Sequence, residues 1–394
     1  MKILQQKLTL ELTENIIPFW MEHSIDTECG GYLTCLERDG QPYDTEKQLW
    51  MQWREVYMFA ALYNRLFPKD EYLKNALWGY DFLYRHGRSE DGGYHYLLDR
   101  QGRVLSDYAD GAEIFTGSFV AIACAELYRA TGETRFEKEA FHALDYYHNA
   151  IAANRKTISD GRPVWSHLAQ PMIELNVLQT MRNAFGNRIS DQAITDCIAE
   201  IFTYQHPEYD VFMENRLIDG SFDLSCQTGR FTNPGHPLEG LSFILEELRL
   251  RKEMDAPFVE TFLTRSLDAV KKGFKYGWDA EQGGIWYFKD ILGKPVAKHE
   301  CMLKAWWPQN EAATAALRAY ELSKDTAFLD IFQLIEDYSW KHHRDSEYPE
   351  WFAYTAVDGR QIHSYKGSRF KGFFHIPRHL LACMEICSRL SAGK

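Results

Sequence analysis

The chain is short of several things, and each shortage closes a class of function. Its eight cysteines, at 29, 35, 124, 197, 226, 301, 383 and 387, include no CxxC pair and no cluster with histidine at zinc spacing. No apolar run reaches the length of a transmembrane helix, and the N-terminal MKILQQKLTLELTEN lacks the apolar centre of a signal peptide. Reduced thiols in a soluble, cytoplasmic protein are the expectation. There is no basic run: 44 Lys and Arg stand against 56 Asp and Glu, a formal charge of −12, which argues against nucleic acid or anionic membrane as a partner. HExxH, a Walker loop and a GxGxxG after a strand are all missing, so neither a metal nor a nucleotide cofactor is expected.

What is present is apolar and aromatic. The 394 residues are 45% hydrophobic, with 11 Trp, 22 Tyr and 24 Phe, and no polar or low-complexity segment interrupts them. Such rings either fill a large core or stack on sugar faces. Short extended phrases recur: GGYLTCLERDG ending at Gly40, GGYHYLLDRQG at Gly102, VFMENRLIDG at Gly220, GGIWYFKDILG at Gly293 and EWFAYTAVDG at Gly359, with a fainter match at Gly161. Six turn glycines separated by 62, 59, 59, 73 and 66 residues mark six units of roughly sixty residues. Helical periodicity fills the intervals, two helices per unit, near 5–22, 48–66, 70–86, 112–131, 134–153, 167–185, 190–206, 237–252, 258–275, 302–322, 326–343 and 376–390. Six hairpins that cannot bury their apolar faces alone reach closure as an all-α (α/α)6 barrel, a single domain over 1–394, with an open helical solenoid as the alternative. In a closed ring the starts of the inner helices share one end.

Chemistry concentrates at those starts. RFTNPGHPLEGLSFIL, from Arg230, opens a helix at Pro237, which places His236 at its mouth, Asn233 just ahead and Glu239 three residues on. His236 with Glu239 reads as a base and its orienter, or as a helix cap with a first-turn carboxylate. His375 holds the same relative place in KGFFHIPRHLL. Arg54, in the aromatic helix KQLWMQWREVYMF, needs a polar pocket or a partner such as Glu55 or Glu113. LKAWWPQNEAATAAL carries Trp307, Gln309 and Glu311, the last a costly residue to bury unless it serves a partner such as His375. His167 is a third pocket histidine or a surface one, and His342 and His343 read as solvated. Trp307, Trp351, Tyr57 and Phe370 are candidates to stack on a sugar, core packing being the default for Tyr57 and Phe370.

These phrases resemble the N-acylglucosamine 2-epimerase family, which includes cellobiose 2-epimerases, mannose 2-epimerases and mannose isomerases. The likeness runs nearly end to end, through PFWMEHSIDTECGGYLTCLERDG, WMQWREVYMF, GRFTNPGHPLEG, WDAEQGGIWYF, WWPQNEA, DSEYPEWFAY and FKGFFHIPR. It implies an (α/α)6 barrel, His236 and His375 as an acid–base pair, Glu239 and Glu311 orienting them, and Arg54 on the sugar carbonyl oxygen. A monosaccharide substrate follows, with no cofactor, and a homodimer is a family-level expectation. Three departures bear on the substrate: Gly117 where N-acylglucosamine epimerases carry an acidic residue, Gln309 where they carry histidine, and a short loop before His167. That loop also weakens the case for the nucleotide effector of some members. Of HLHxxEA, the cellobiose enzymes' phrase, only part is present at His167, so a disaccharide is not supported. These departures favour D-mannose and D-glucose over N-acetylglucosamine and N-acetylmannosamine.

Inverting C2 of an aldose means opening the ring, taking the C2 proton and returning one to the other face. Two histidines, with unperturbed pKa about 6.5, suit both tasks near neutral pH. The same pair could return the proton to C1, making a mannose/fructose isomerase. The barrel could also be a glycoside hydrolase, which needs paired carboxylates, or a non-catalytic sugar- or protein-binding module.

Overall fold

The computed structural model describes residues 1–107, 112–156 and 164–393. Its helices are α1 Lys2–Leu10 and α2 Ile17–His23, continuous through a π-turn at Glu11–Ile16, then α3 Leu49–Arg65, α4 Asp70–His86, α5 Thr116–Thr131 and α6 Thr134–Lys156. They continue as α7 Ala169–Phe185, α8 Asp191–Phe202, the single turn α9 Gln227–Arg230, α10 Gly235–Arg251, α11 Ala256–Gly277, α12 Trp306–Ser323, α13 Ala327–His342 and α14 His375–Ser391. Among the described residues no helix is long and apolar enough to cross a membrane.

Residue type sorts these helices into two rings. In α5 every residue from Thr116 to Leu127 is buried, and in α12 every residue from Trp306 to Leu317. A helix covered on all sides belongs inside, and the small residues of AATAA let its neighbours approach. By contrast α4 and α11 bury one stripe and expose the other, the mark of an outer layer. Neighbour packing runs α3–α5–α7–α10–α12–α14 around the inner ring, each backed by the helix that follows it, except that α14 is backed by α1. Arg65 of α3 closes the circle by a two-pronged bond to Glu385 of α14, at 2.9 and 2.8 Å. This is the (α/α)6 barrel that the repeat predicts, with the seam between the first helix and the last. The seam is held by buried carboxylates: Trp351 donates to Glu11 and Trp20 donates to Glu350, at 2.8 and 2.7 Å.

The recurrent phrases sit at one end. Gly40, Gly102, Gly220, Gly293 and Gly359 all have positive φ, from 68° to 93°, a conformation that glycine takes without strain. The match at Gly161 lies outside the described residues. A side-chain carbon on Gly40, Gly102 or Gly359 would strike His23, His86 or His342, each at the end of an outer helix. His342 is therefore only half-buried beneath its turn, whereas His343, expected to be solvated, is wholly buried with its Nδ1 on the Phe352 carbonyl. Helix boundaries move too: the segment expected to be helical from 302 enters as a strand, Leu303–Ala305, and turns helical at Trp306.

The phrases do more than turn. Strands 165–167, 231–232 and 303–305, each leading into an inner helix, pair with strands 215–217, 289–290 and 354–356 of the following unit. Buried lysines reinforce these links. Lys304 donates to Asp279 and to the Val357 carbonyl, both at 2.8 Å, and Lys47 reaches Asp26 and the Arg100 carbonyl in the same manner. A buried ammonium with several acceptors is tolerated where a bare one would not be.

Candidate active site

At the strand end of the barrel the six inner helices begin around one cavity of about 820 Å³. Each supplies a wall: Arg54 from α3, Phe119 from α5, Met172 from α7, His236 from α10, Trp307 from α12 and His375 from α14. Asn233 prepares the α10 entrance, its Oδ1 accepting from the Gly235 amide at 3.1 Å. The Trp307 indole lies between the two histidines, with ring centres 5.1 Å from His236 and 5.6 Å from His375, each inclined by 33°. The two imidazoles thus flank one aromatic floor.

Each imidazole is held through Nδ1, but by different means. His236 Nδ1 is 2.9 Å from both oxygens of Glu214. His375 Nδ1 is 2.9 Å from Glu311, whose same oxygen accepts from Arg378 at 2.6 Å. Glu239 also accepts from Arg378. Among the described residues neither Nε2 has a hydrogen-bond partner, so both are free to face a bound molecule.

The electrostatics follow. Burial alone would depress His236, yet the unshared Glu214 carboxylate outweighs it and holds the pKa above the usual histidine range. Burial, then the Arg378 cation, press His375 well below that range, because Arg378 cancels the charge that Glu311 and Glu239 would otherwise bring to bear. The two rings are thus biased in opposite directions, His236 toward the imidazolium and His375 toward the neutral imidazole. Arg54 completes the set. Its guanidinium lies over Phe119, Phe374 and Trp50 at 4.2, 4.6 and 5.1 Å, and its Nε has no acceptor. Burial pulls it down to about 9, with Glu239 drawing it back up, so it is still a cation at neutral pH.

A family model for N-acylglucosamine 2-epimerase matches residues 31–378. The chain belongs to the N-acylglucosamine 2-epimerase family. The mouse N-acylglucosamine 2-epimerase is 35% identical over 99% of this chain and 93% of its own length. The human enzyme of that name is 34% identical over 96% and 88%. Among solved structures, a D-mannose isomerase superposes with a TM-score of 0.80 at 21% identity, covering 97% of each chain, a likeness of fold.

Within this epimerase-family barrel, the predicted site residues divide. Arg54, His236, His375, Trp307, His167, Asn233 and Phe370 line the cavity, Phe370 at the rim with 57% exposure, and Glu311 stands behind His375. Glu239 does reach the cavity but does not orient His236, because Arg378, arriving from α14, takes its carboxylate. Glu55, one of the partners expected for Arg54, accepts instead from Ser24. Trp351 is 0% exposed and packs on Trp340, away from the cavity. Gln309 is likewise fully buried, its amide clamping the backbone of Ile285 at 2.7 and 2.9 Å. Tyr57 lies behind the wall against Phe374. Sequence reasoning missed Glu214 and Arg378. Arg378 had a signal, standing three residues after His375 on a helix, the spacing that makes helical neighbours. Glu214 had a weak one, six residues before a turn glycine, where Tyr287 of the fifth unit also reaches the cavity.

Two of the three departures that favour free hexoses lose their force here. Gln309 does not reach the cavity, and a side-chain carbon on Gly117 would meet Tyr146 and the Ala143 carbonyl of α6, so its smallness serves helix packing. The third, the loop before His167, falls largely outside the described residues.

Proposed function

We propose that the chain is a sugar 2-epimerase acting on N-acyl-D-glucosamines, interconverting N-acetylglucosamine and N-acetylmannosamine. The reading rests on one observation above the rest: end-to-end identity of 34–35% with mammalian N-acylglucosamine 2-epimerases, while identity to a curated D-mannose isomerase is 23%. It replaces the lean toward mannose and glucose, whose grounds at Gln309 and Gly117 point away from the cavity.

The site supports the chemistry. On the opened sugar, C2–H is acidic because it is alpha to the C1 carbonyl. Neutral His375 takes that proton while Arg54, without a competing ion pair, meets the charge growing on O1. Protonated His236 then delivers a proton to the opposite face. The reverse reaction exchanges the roles. A glycoside hydrolase would need a free carboxylate pair, and Glu239 and Glu311 are both bound to Arg378. Among the described residues Glu239, Glu311 and His375 could gather a metal ion, but both carboxylates are bound to that same guanidinium.

Proton NMR in heavy water, with N-acetylmannosamine, N-acetylglucosamine, mannose, glucose and fructose offered separately, tests this. Deuterium entering C2 of N-acetylmannosamine as N-acetylglucosamine appears is the expected result. Turnover of mannose alone would reject the N-acyl assignment, fructose as product would move the chain to the isomerases, and intact C2–H in every sugar would reject catalysis.

A further inference from the structure

We propose that Glu214, and not the first-turn Glu239, is the positioning residue of His236, fixing the ring through Nδ1 so that Nε2 is presented to the cavity. This rests on the epimerase reading for its kinetic consequences, though not for its geometry.

Four observations carry it. Both Glu214 oxygens are 2.9 Å from Nδ1, a bifurcated acceptance that sets ring orientation and tautomer together. The Glu214 backbone is pinned on both sides: its carbonyl accepts from the Leu168 amide at 2.9 Å and its amide donates to the Phe231 carbonyl at 3.3 Å. The carboxylate is thus delivered by a junction of strands and not by the helix that carries His236. His167, which lines the same cavity as Glu214, is held through its own Nδ1 by Asn215. Finally, Glu239, though on the same helix face as His236, is committed to Arg378. The other titratable groups facing His236 are Glu239 from its own helix, Lys298 from the loop before Met302, and His375 from α14. Glu214 is the one among them that touches the ring.

The two halves of the site are therefore built unequally. His375 leans on a carboxylate whose charge is shared with a guanidinium, whereas His236 leans on one that is not shared. Glu214 also lines a side cavity of about 370 Å³ with Asn215, Gln227 and Lys298, which leaves room for a small carboxylate beside His236 when the side chain is shortened.

The test compares Glu214→Gln, Glu214→Ala and Glu239→Gln in the full chain. Histidine NMR titration, assigned with His236→Gln, reads the geometry without any substrate. E214Q is expected to lower the His236 titration midpoint, and E239Q to move it less. In kinetics, E214Q is expected to reduce kcat by roughly 10- to 100-fold with KM little changed, and to shift the high-pH limb to lower pH, because His236 then loses its proton sooner. Formate or acetate should restore part of the E214A rate, through the side cavity, and none of the rate lost in E239Q. A His236 midpoint unmoved in E214Q but lowered in E239Q would overturn the assignment. If the midpoint falls in E214Q while the wild type turns over no sugar, the positioning stands and the epimerase reading fails.

Discussion

Replacing Arg54 with methionine should separate what this residue does for catalysis from what it does for folding. A guanidinium taken from water costs several kcal/mol, and Arg54 recovers that through the faces of Phe119, Phe374 and Trp50, each worth about 0.5–2 kcal/mol. With no salt bridge to add among the described residues, only the more distant charge of Glu239, the two terms nearly cancel. Methionine fills the same aromatic collar with a soft thioether and brings no charge to desolvate, so the variant should melt within a few degrees of the parent, or above it. Catalysis is not balanced in this way. A donor aimed at developing oxyanion charge contributes about 3–4 kcal/mol to the transition state, so kcat should fall on the order of 100- to 1,000-fold. Differential scanning fluorimetry and C2 deuterium exchange followed by NMR read the two quantities on the same sample. A melting temperature lowered by more than about 5 °C together with a rate within tenfold of the parent would show that Arg54 is a structural cation and that this reasoning is wrong.

Three further outcomes are expected. His236→Ala and His375→Ala should each abolish turnover with circular dichroism unchanged, and the double variant should be no worse than either, since one epimerisation needs both of their proton transfers; additive losses would refute the two-base site. Gln309→His should leave the ratio of N-acetylmannosamine to mannose turnover as it was while lowering stability, because the Gln309 amide holds the Ile285 backbone and does not face the cavity; a changed ratio would restore that position as a specificity determinant. Burial raises the Glu55 carboxyl to about 8, so the folded state favours its protonated form. That contribution is whole below the unfolded carboxylate range near 4.3 and is lost as pH climbs toward 8. Glu55→Gln should therefore be near neutral at pH 5 and stabilising by a few kcal/mol at pH 8.5 in urea melts, and an equal effect at both would exclude a buried neutral Glu55.

The ring was legible because its signals are local. A turn that needs positive φ demands glycine, so the phrases declare their own period, and helices buried on all sides announce themselves by small apolar residues. His236, His375 and Trp307 could be placed because each sits at a proline-marked helix start in a repeated position. Glu239 shows where such reasoning stops. Three residues after His236 is the right spacing for a partner on one helix, but Arg378 arrives from 139 residues away and captures its carboxylate first. Glu214 stands immediately before the strand 215–217, and which strand ends cross above α10 is settled by pairing between units, not by any local pattern. Gln309 failed for a related reason: a helix start has a face toward the cavity and a face toward the hairpin behind it, and residue type alone does not choose; Trp351 lies in the hairpin segment itself, bridged to Arg344 and packed on Trp340.

The seam between α1 and α14 carries a consequence for how this molecule is made. Synthesis runs from one end, so α1 emerges long before its packing partner exists, and the helix bearing His375 is the last of the inner ring to leave the ribosome. Until then the ring lacks one wall, and the buried carboxylates Glu11 and Glu350 have not yet met Trp351 and Trp20 across the seam. Assembly of the cavity is thus a late event that joins α1 to a helix that begins only at His375. Helices α1 and α14 are consequently bound into the same structural element, and removing either would open the wall that holds His375.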